Sequence, residues 1–341
     1  MKLKVAVIGL GYWGPNFVRN FIRHPDTEVV WGCDLSQKAR ENIAQYFPQV
    51  KLTDDYKKIL RDSEIDLVMI VTPPETHFKI AKEALESGKH VLMAKPLTTN
   101  AKQADKLYQL AKKKNLLLYG DLTYLFTGSV EYIKKFIHKN GIGKPLYYDS
   151  TRANLGLIQK EVNVIWDLAP HDFAIIDNCF GLAPLKVFAT ASKHYGVSKN
   201  YEMAHITVTY ADDFIAHIHV SWVSPIKLRT VLIGGAKKMI FFDDVEPDEK
   251  VKIYDKGIDI SKKDISYMKP VYRNGDVIIP KLKIEEAIYL EIDDIVRQIN
   301  QKRISYSNAE LNIKIVKMLE ACDRSIKTGK VVNLSTIYEN F

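Results

Sequence analysis

The sequence predicts an α/β protein of two domains, and three observations carry that prediction. An apolar strand runs directly into a glycine-rich turn within residues 5–16. Strands and helices then alternate to about residue 120, as a parallel sheet requires. Beyond about 122 the rhythm becomes a run of adjacent strands with period-two character, which implies a largely antiparallel sheet. The domains are therefore placed at 1–121, a doubly wound parallel sheet, and 122–341, a smaller-element α/β domain.

The first segment, Val5-Ala6-Val7-Ile8-Gly9-Leu10-Gly11-Tyr12-Trp13-Gly14-Pro15-Asn16, has the G-x-G-x-x-G spacing between a strand and a helix. Gly9 permits the tight turn, Gly11 lets the backbone approach a pyrophosphate, and Gly14 lets the helix pack on the strand. Tyr12 and Trp13 fill the loop between them, and Pro15 suits a first helical turn. Exposed N–H groups at the positive helix end would receive the anion. The second strand, 28–33, ends at Asp34, 20 residues beyond Gly14. A carboxylate there accepts hydrogen bonds from ribose hydroxyls and repels a 2′-phosphate, so NAD is expected over NADP. Lys38 and Arg40 keep NADP as the lesser alternative, and Asp34 could instead cap the following helix, as Ser36 also could.

Later elements follow in order. Helices are expected at 37–47, 55–61, from about Thr76 to a C-cap at Gly88, and at 100–114. Strands are expected at 50–53, at 65–72 as a continuous apolar run, at 90–94 and at 116–120. In the second domain a helix at 129–139 precedes strands at 145–154, 185–193, 203–210, 214–222, 227–233, 237–242 and 250–255. A helical insertion at 164–180 interrupts them, the irregular charged stretch 243–280 reads as loops, and helices at 284–301 and 308–327 close the chain.

Composition excludes several classes. With 341 residues, 46% hydrophobic and 26% charged, the chain is long enough for two buried cores of an ordinary globular kind. The net charge of +8 comes from lysines dispersed among nearly as many acids, without a basic stripe, so nucleic acid is not expected as a partner. That field would instead draw in an anionic small molecule. No membrane partner or secretion is expected, because the apolar run at 5–10 is too short for a span or a signal peptide. Cys33, Cys179 and Cys322 are scattered and read as reduced packing thiols of a cytoplasmic protein.

Three further segments carry chemistry. Thr72-Pro73-Pro74-Glu75-Thr76-His77 lies at the C-terminal end of a central strand, where open α/β sheets bind ligands. Thr72, Pro73, Pro74 and His77 are expected on the cofactor. Lys95 sits at the end of the next strand and would point into the same crevice. Asp167 and His171, at i and i+4 in Trp166-Asp167-Leu168-Ala169-Pro170-His171-Asp172, would share a helix face. Oxidising an alcohol by hydride loss needs a base near neutrality and a cation beside the developing alkoxide. Histidine suits the first role and lysine the second. A metal at Asp167, His171 and Asp172 lacks a third ligand at helical spacing, so none is expected.

The combination G-L-G-Y-W-G-P-N, T-P-P-E-T-H, K-P-L and W-D-L-A-P-H-D resembles the Gfo/Idh/MocA (glucose–fructose oxidoreductase/inositol dehydrogenase) family along nearly the whole chain, through Leu319–Ser325. The resemblance implies a Rossmann domain plus an open-sheet α/β domain, and oxidation or reduction of one ring hydroxyl of a sugar or cyclitol with NAD(P). It matches Lys95 to the lysine of an E-K-P motif, and Asp167 and His171 to a catalytic D-x-x-x-H pair. Arg152, Asn154 and Trp166 become candidates for the substrate pocket, although sheet packing explains the last two equally well. These segments look most like the branch acting on UDP-N-acetylglucosamine and UDP-N-acetylglucosaminuronate at C3. The resemblance also implies homodimers or homotetramers joined through the open sheet face, with which the alternation in 214–222 is compatible. One residue departs from the pattern: Ala94 stands where the family has glutamate. Two alternatives to sugar oxidation remain open, namely keto-sugar reduction by the same residues and a non-catalytic dinucleotide- and sugar-binding regulator.

Overall fold

The computed structural model describes residues 2–156, 158–196, 199–259 and 271–334. In chain order the first elements are β1 (Leu3–Ile8), α1 (Gly14–Arg23), β2 (Thr27–Cys33), α2 (Gln37–Tyr46), β3 (Lys51–Thr53), α3 (Tyr56–Arg61), β4 (Leu67–Ile70), α4 (Pro74–Glu86), β5 (His90–Met93), α5 (Ala101–Lys114) and β6 (Leu118–Gly120). Next come α6 (Gly128–His138), β7 (Pro145–Leu155), α7 (Val164–Phe180), β8 (Pro184–Ser192), β9 (Met203–Tyr210), β10 (Ile215–Ser221), β11 (Val223–Gly235), β12 (Met239–Asp243), β13 (Val251–Asp259) and β14 (Val271–Ile278). Two long helices, α8 (Ala287–Asn300) and α9 (Ser307–Thr328), precede a short β15 (Val332–Asn333).

The chain divides into two compact units. One comprises Met1–Phe126 with Glu285–Glu320, the other Thr127–Ile284 with Ala321–Phe341. The division thus falls past the expected 121, and a segment from far down the sequence joins the first unit. Its physical reason is burial: α8 places Ile288, Ile292, Ile295 and Val296 in the same core as Val5, Val7, Leu67, Met69 and Leu92. Arg19 fixes the entry to α8 by donating from both terminal guanidinium nitrogens to Glu286, at 3.1 and 2.6 Å.

The first unit is a six-stranded parallel sheet in the order β3-β2-β1-β4-β5-β6. Its strands are apolar because helices cover both faces, and β4 (Leu67-Val68-Met69-Ile70) is buried at every position. α2, α3 and α5 begin at Ser36, Asp55 and Asn100, whose side chains each accept a backbone N–H of the first turn. Gly88, just past α4, takes the left-handed φ of +79° expected of it.

The second unit is built on a sheet of nine strands among the described residues, ordered β14-β13-β12-β11-β7-β10-β9-β8-β15. All its pairs are antiparallel except β7 with β10. β13 corresponds to the strand expected at 250–255, whereas β14, which pairs with it antiparallel, replaces part of the loop expected over 243–280; 260–270 lie outside the described residues. The alternation in β10 gives the two faces expected of it. Ala216, Ile218 and Val220 are fully buried on the covered face, whereas His217 and His219 face outward. The outer face carries polar residues, with His205 and His219 stacked at 4.3 Å. Cys33, Cys179 and Cys322 are buried, and burial raises the thiol pKa of Cys33 and of Cys179 to about 12. Among the described residues no helix is long and apolar enough to cross a membrane.

Candidate active site

The first unit supplies a dinucleotide cradle. Gly9 adopts a left-handed φ of +98°, and a Cβ there would lie 2.5 Å from the Val71 carbonyl oxygen. At Gly14 an added Cβ would meet the Gly9 oxygen at 2.2 Å, so both positions admit only glycine. At Gly11 an added Cβ would meet nothing within 4 Å. The outer side of the loop is therefore open where a pyrophosphate would approach backbone N–H groups at the start of α1. Tyr12 and Trp13 stand exposed on the loop, edge to face at 5.7 Å. Asp34 ends β2 as expected, and its carboxylate is pinned: Leu10 N donates to Oδ2 at 2.7 Å and Ser36 N to Oδ1 at 2.8 Å. Ser36, not Asp34, caps α2. Arg40 turns its guanidinium to the carbonyls of Asp34 and Leu35, at 2.6 and 3.1 Å.

The ends of β4 and β5 carry the next group. Thr72 and Pro74 are half-buried, Pro73 is exposed, and the Thr72 and Thr76 hydroxyls share a hydrogen bond of 2.6 Å. His77 departs from the expected cofactor contact. It is fully buried in the first turn of α4, with Nε2 2.8 Å from the Thr72 oxygen and Nδ1 3.0 Å from the Pro96 oxygen. Its ring braces two loops instead of facing a ligand. Burial lowers its pKa below the usual histidine value, against the opposing pull of those carbonyls. Lys95 is half-buried directly after β5 and is joined to Pro96 by a cis peptide. Ala94 packs its methyl group on the first unit's core.

In the second unit Asp167 and His171 lie one turn apart on α7, both half-buried, as the spacing predicts. Asn163 caps that helix by accepting from the N–H groups of Ile165 and Trp166. Pro170 sits inside it and withholds the N–H that the Trp166 carbonyl would otherwise receive. Sequence reasoning missed Trp222, which follows β10 and donates from Nε1 to Asp167 Oδ2 at 2.9 Å. An indole N–H that meets a carboxylate 55 residues away leaves no spacing signal.

Two expected pocket residues are structural. Arg152 is buried in the core, 2% exposed, with Nε donating to Asp172 Oδ2 at 2.7 Å. Tyr148 donates to the other oxygen of Asp172 at 2.8 Å. The guanidinium belongs to that buried network, not to a ligand surface, because an unpaired charge at such depth is prohibitive. Trp166 is 6% exposed and donates from its indole to Asp323 Oδ2 at 2.7 Å. Asp323 also accepts from Asn163 Nδ2 at 3.0 Å, tying the start of α7 to α9 within this unit. Asn154 stays half-exposed and accepts from Arg229 Nη2 at 2.8 Å. Among the described residues no cluster of three or more His, Cys, Asp or Glu side chains could hold a metal ion.

A glycine turn between β1 and α1 and a six-stranded parallel sheet covered by helices are the marks of a dinucleotide-binding domain. The profile of the oxidoreductase family with an NAD-binding Rossmann fold matches residues 3–121, and that of the GFO/IDH/MocA C-terminal domain matches residues 130–241. The UDP-N-acetylglucosamine 3-dehydrogenase of Acidithiobacillus ferrooxidans is 30% identical over 249 residues, 72% of each chain. The chain belongs to the Gfo/Idh/MocA family, and its N-terminal domain is an NAD-binding Rossmann domain. An uncharacterized oxidoreductase of Schizosaccharomyces pombe, C26H5.09c, is 32% identical over 185 residues, 50% of this chain and 49% of that one. The chain thus spans about half the length of some curated relatives it matches. The crystal structure of GenD2 from gentamicin A biosynthesis, in complex with NAD, shares the fold with a TM-score of 0.82 at 20% identity, covering 97% and 96% of the two chains.

Proposed function

We propose that the protein is an NAD-dependent dehydrogenase of a secondary ring hydroxyl, at C3 of a UDP-linked N-acetylated amino sugar. The observation that carries this reading is the half-buried Asp167–His171 pair on one face of α7, with the Asp167 carboxylate held by Trp222. The 30% identity to a UDP-N-acetylglucosamine 3-dehydrogenase supports the substrate class.

Bound NAD supplies a hydride acceptor for the sugar carbon. The chain's own residues do the rest. Gly9, Gly11 and Gly14 with the start of α1 hold the pyrophosphate, Asp34 the adenosine ribose, and Tyr12, Trp13, Thr72, Pro73 and Pro74 flank the cofactor. The Lys95 ammonium hydrogen-bonds the reacting oxygen and steadies the negative charge that develops on it. A ring nitrogen of His171 takes the hydroxyl proton as the carbon–hydrogen bond breaks, leaving a ketone. Asp167 orients the imidazole or the sugar. Asn154 contacts the substrate beside Arg229, and the pinned Asp34 carboxylate favours NAD over NADP. Assembly as a homodimer or homotetramer belongs to the same reading, and light scattering at micromolar concentration tests it.

Purified protein given NAD and UDP-N-acetylglucosamine should form NADH, and His171→Asn should reduce that rate by about 10²–10⁴-fold. Undiminished turnover in the variant would remove His171 from the base role.

A further inference from the structure

His77 faces two acceptors with both ring nitrogens. The Thr72 oxygen lies 2.8 Å from Nε2 and the Pro96 oxygen 3.0 Å from Nδ1. Neither carbonyl can donate, so each contact requires the proton of the ring. A neutral imidazole has one N–H and serves one carbonyl, whereas an imidazolium serves both. The ring is fully buried, which opposes the cation, while the carbonyls and the carboxylate of Glu75 on the same helix favour it. Lys95 directly precedes Pro96 in the chain. The two loops bridged are those that follow β4 and β5, and the second bears Lys95. Little else in this region has freedom to adjust, since Leu97 and Thr98 are fully buried as well.

We propose that His77 is a positioning residue that sets where the Lys95 ammonium lies. By binding the carbonyl of Pro96, the ring fixes the backbone immediately after Lys95 relative to the Thr72 end of β4. A lysine carries four rotatable side-chain bonds, so the direction in which its stem leaves the backbone decides where the ammonium dwells. The imidazole touches neither sugar nor cofactor, and acts only through that backbone. The importance of this for turnover rests on the reading that Lys95 meets the reacting oxygen.

Two variants separate the chemistry from the volume. His77→Phe keeps an aromatic ring and removes both nitrogens, whereas His77→Gln offers an amide with two N–H donors for the two carbonyls. Calorimetry and NADH fluorescence titration establish that each variant folds and holds cofactor. Competitive acetylation with acetic anhydride across pH 7 to 11, about the range in which lysine titrates, then reports the reactivity of each lysine by peptide mass spectrometry. In His77→Phe the Lys95 rate should change about threefold or more, with exposed Lys38 and Lys102 unchanged. His77→Gln should return most of the wild-type profile. With UDP-N-acetylglucosamine, kcat of His77→Phe should fall about tenfold with KM nearly constant.

A Lys95 profile identical to wild type in a folded variant would overturn the proposal, as would an equal change at Lys38 and Lys102, which indicates general loosening. If His77→Phe fails to fold, the Lys95 profile of His77→Gln decides alone: native reactivity supports the bridge, and a profile displaced as far as that of a denatured chain overturns it. Should the wild type not oxidise the UDP-sugar, the functional reading fails, while the acetylation result still decides the positioning role.

Discussion

Removing the carboxylate of Asp172 should destabilise the second unit severely without changing sugar affinity. Asp172 is fully buried and accepts from Tyr148 at 2.8 Å and from Arg152 at 2.7 Å, and Arg152 is itself 2% exposed. Asp172→Ala strands a guanidinium in the core, a loss of about 3–5 kcal/mol for breaking a buried pair from one side. The unit holds about 180 residues, and for that size about 2–4 °C of melting temperature accompanies each kcal/mol, which gives a drop of about 6–20 °C. Replacing the whole network by Tyr148→Phe, Arg152→Met and Asp172→Leu should recover most of the loss, because no buried polar group is then left unpaired. Differential scanning calorimetry resolves the transition, and initial rates give KM for the UDP-sugar. A shift of less than about 1 °C for Asp172→Ala, accompanied by a raised KM, would refute the reasoning and return Arg152 to the substrate.

Three other outcomes are expected. Asp34→Ser removes a carboxylate pinned by the Leu10 and Ser36 N–H groups, and NADH affinity should fall about 10–100-fold as a charged hydrogen-bond acceptor is lost. NADPH should gain affinity in the same fluorescence titration, and a variant that still rejects NADPH would argue against Asp34 as the discriminator. Trp222→Phe deletes the 2.9 Å bond to Asp167, so kcat should fall about tenfold with KM little changed; an unaltered kcat would show that the indole does not orient the carboxylate. Glu291 is fully buried and accepts from Leu122 N at 2.9 Å. Its burial, with Asp121 nearby, holds its carboxyl well above the ordinary 4.5. For an acid so raised, stability is full below the ordinary value and is lost as pH climbs toward the native one, at up to about 1.4 kcal/mol per pH unit. Glu291→Gln should flatten that decline of the first unit in calorimetry, and an unchanged slope would place its origin elsewhere.

Local signals explain how much of the fold was legible. The parallel unit is punctuated by Gly, Pro and capping Ser, Asp and Asn residues, which act within a few positions of the helix or strand they end. The helix Val164–Phe180 agrees with its expected 164–180 because its apolar run is long and bounded by Asn163 and Gly181. β14 (Val-Tyr-Arg-Asn-Gly-Asp-Val-Ile) escaped detection because it lies at a sheet edge, where both faces tolerate charge. α8 carried a clear helical period, but nothing local assigns it to a core formed nearly 300 residues earlier. The same limit governs the site. The glycine spacing, Asp34, Lys95 and the Asp167–His171 step are short-range patterns and fall on the strand ends and helix face expected of them. Arg152 stood as a candidate for the substrate pocket because its buried partner lies in another element, 20 residues on, with no motif linking them. His77 looked ligand-facing because motif position says where the backbone goes, not which way the ring turns.

The central claim is that a sugar C3 hydrogen leaves as hydride while the chain's lysine and histidine manage its oxygen. Protein incubated with NAD and UDP-N-acetylglucosamine deuterated at C3 should yield reduced cofactor one mass unit heavier. Reduced cofactor without deuterium would place the oxidised carbon elsewhere, and no reduced cofactor from this substrate would contradict the account outright.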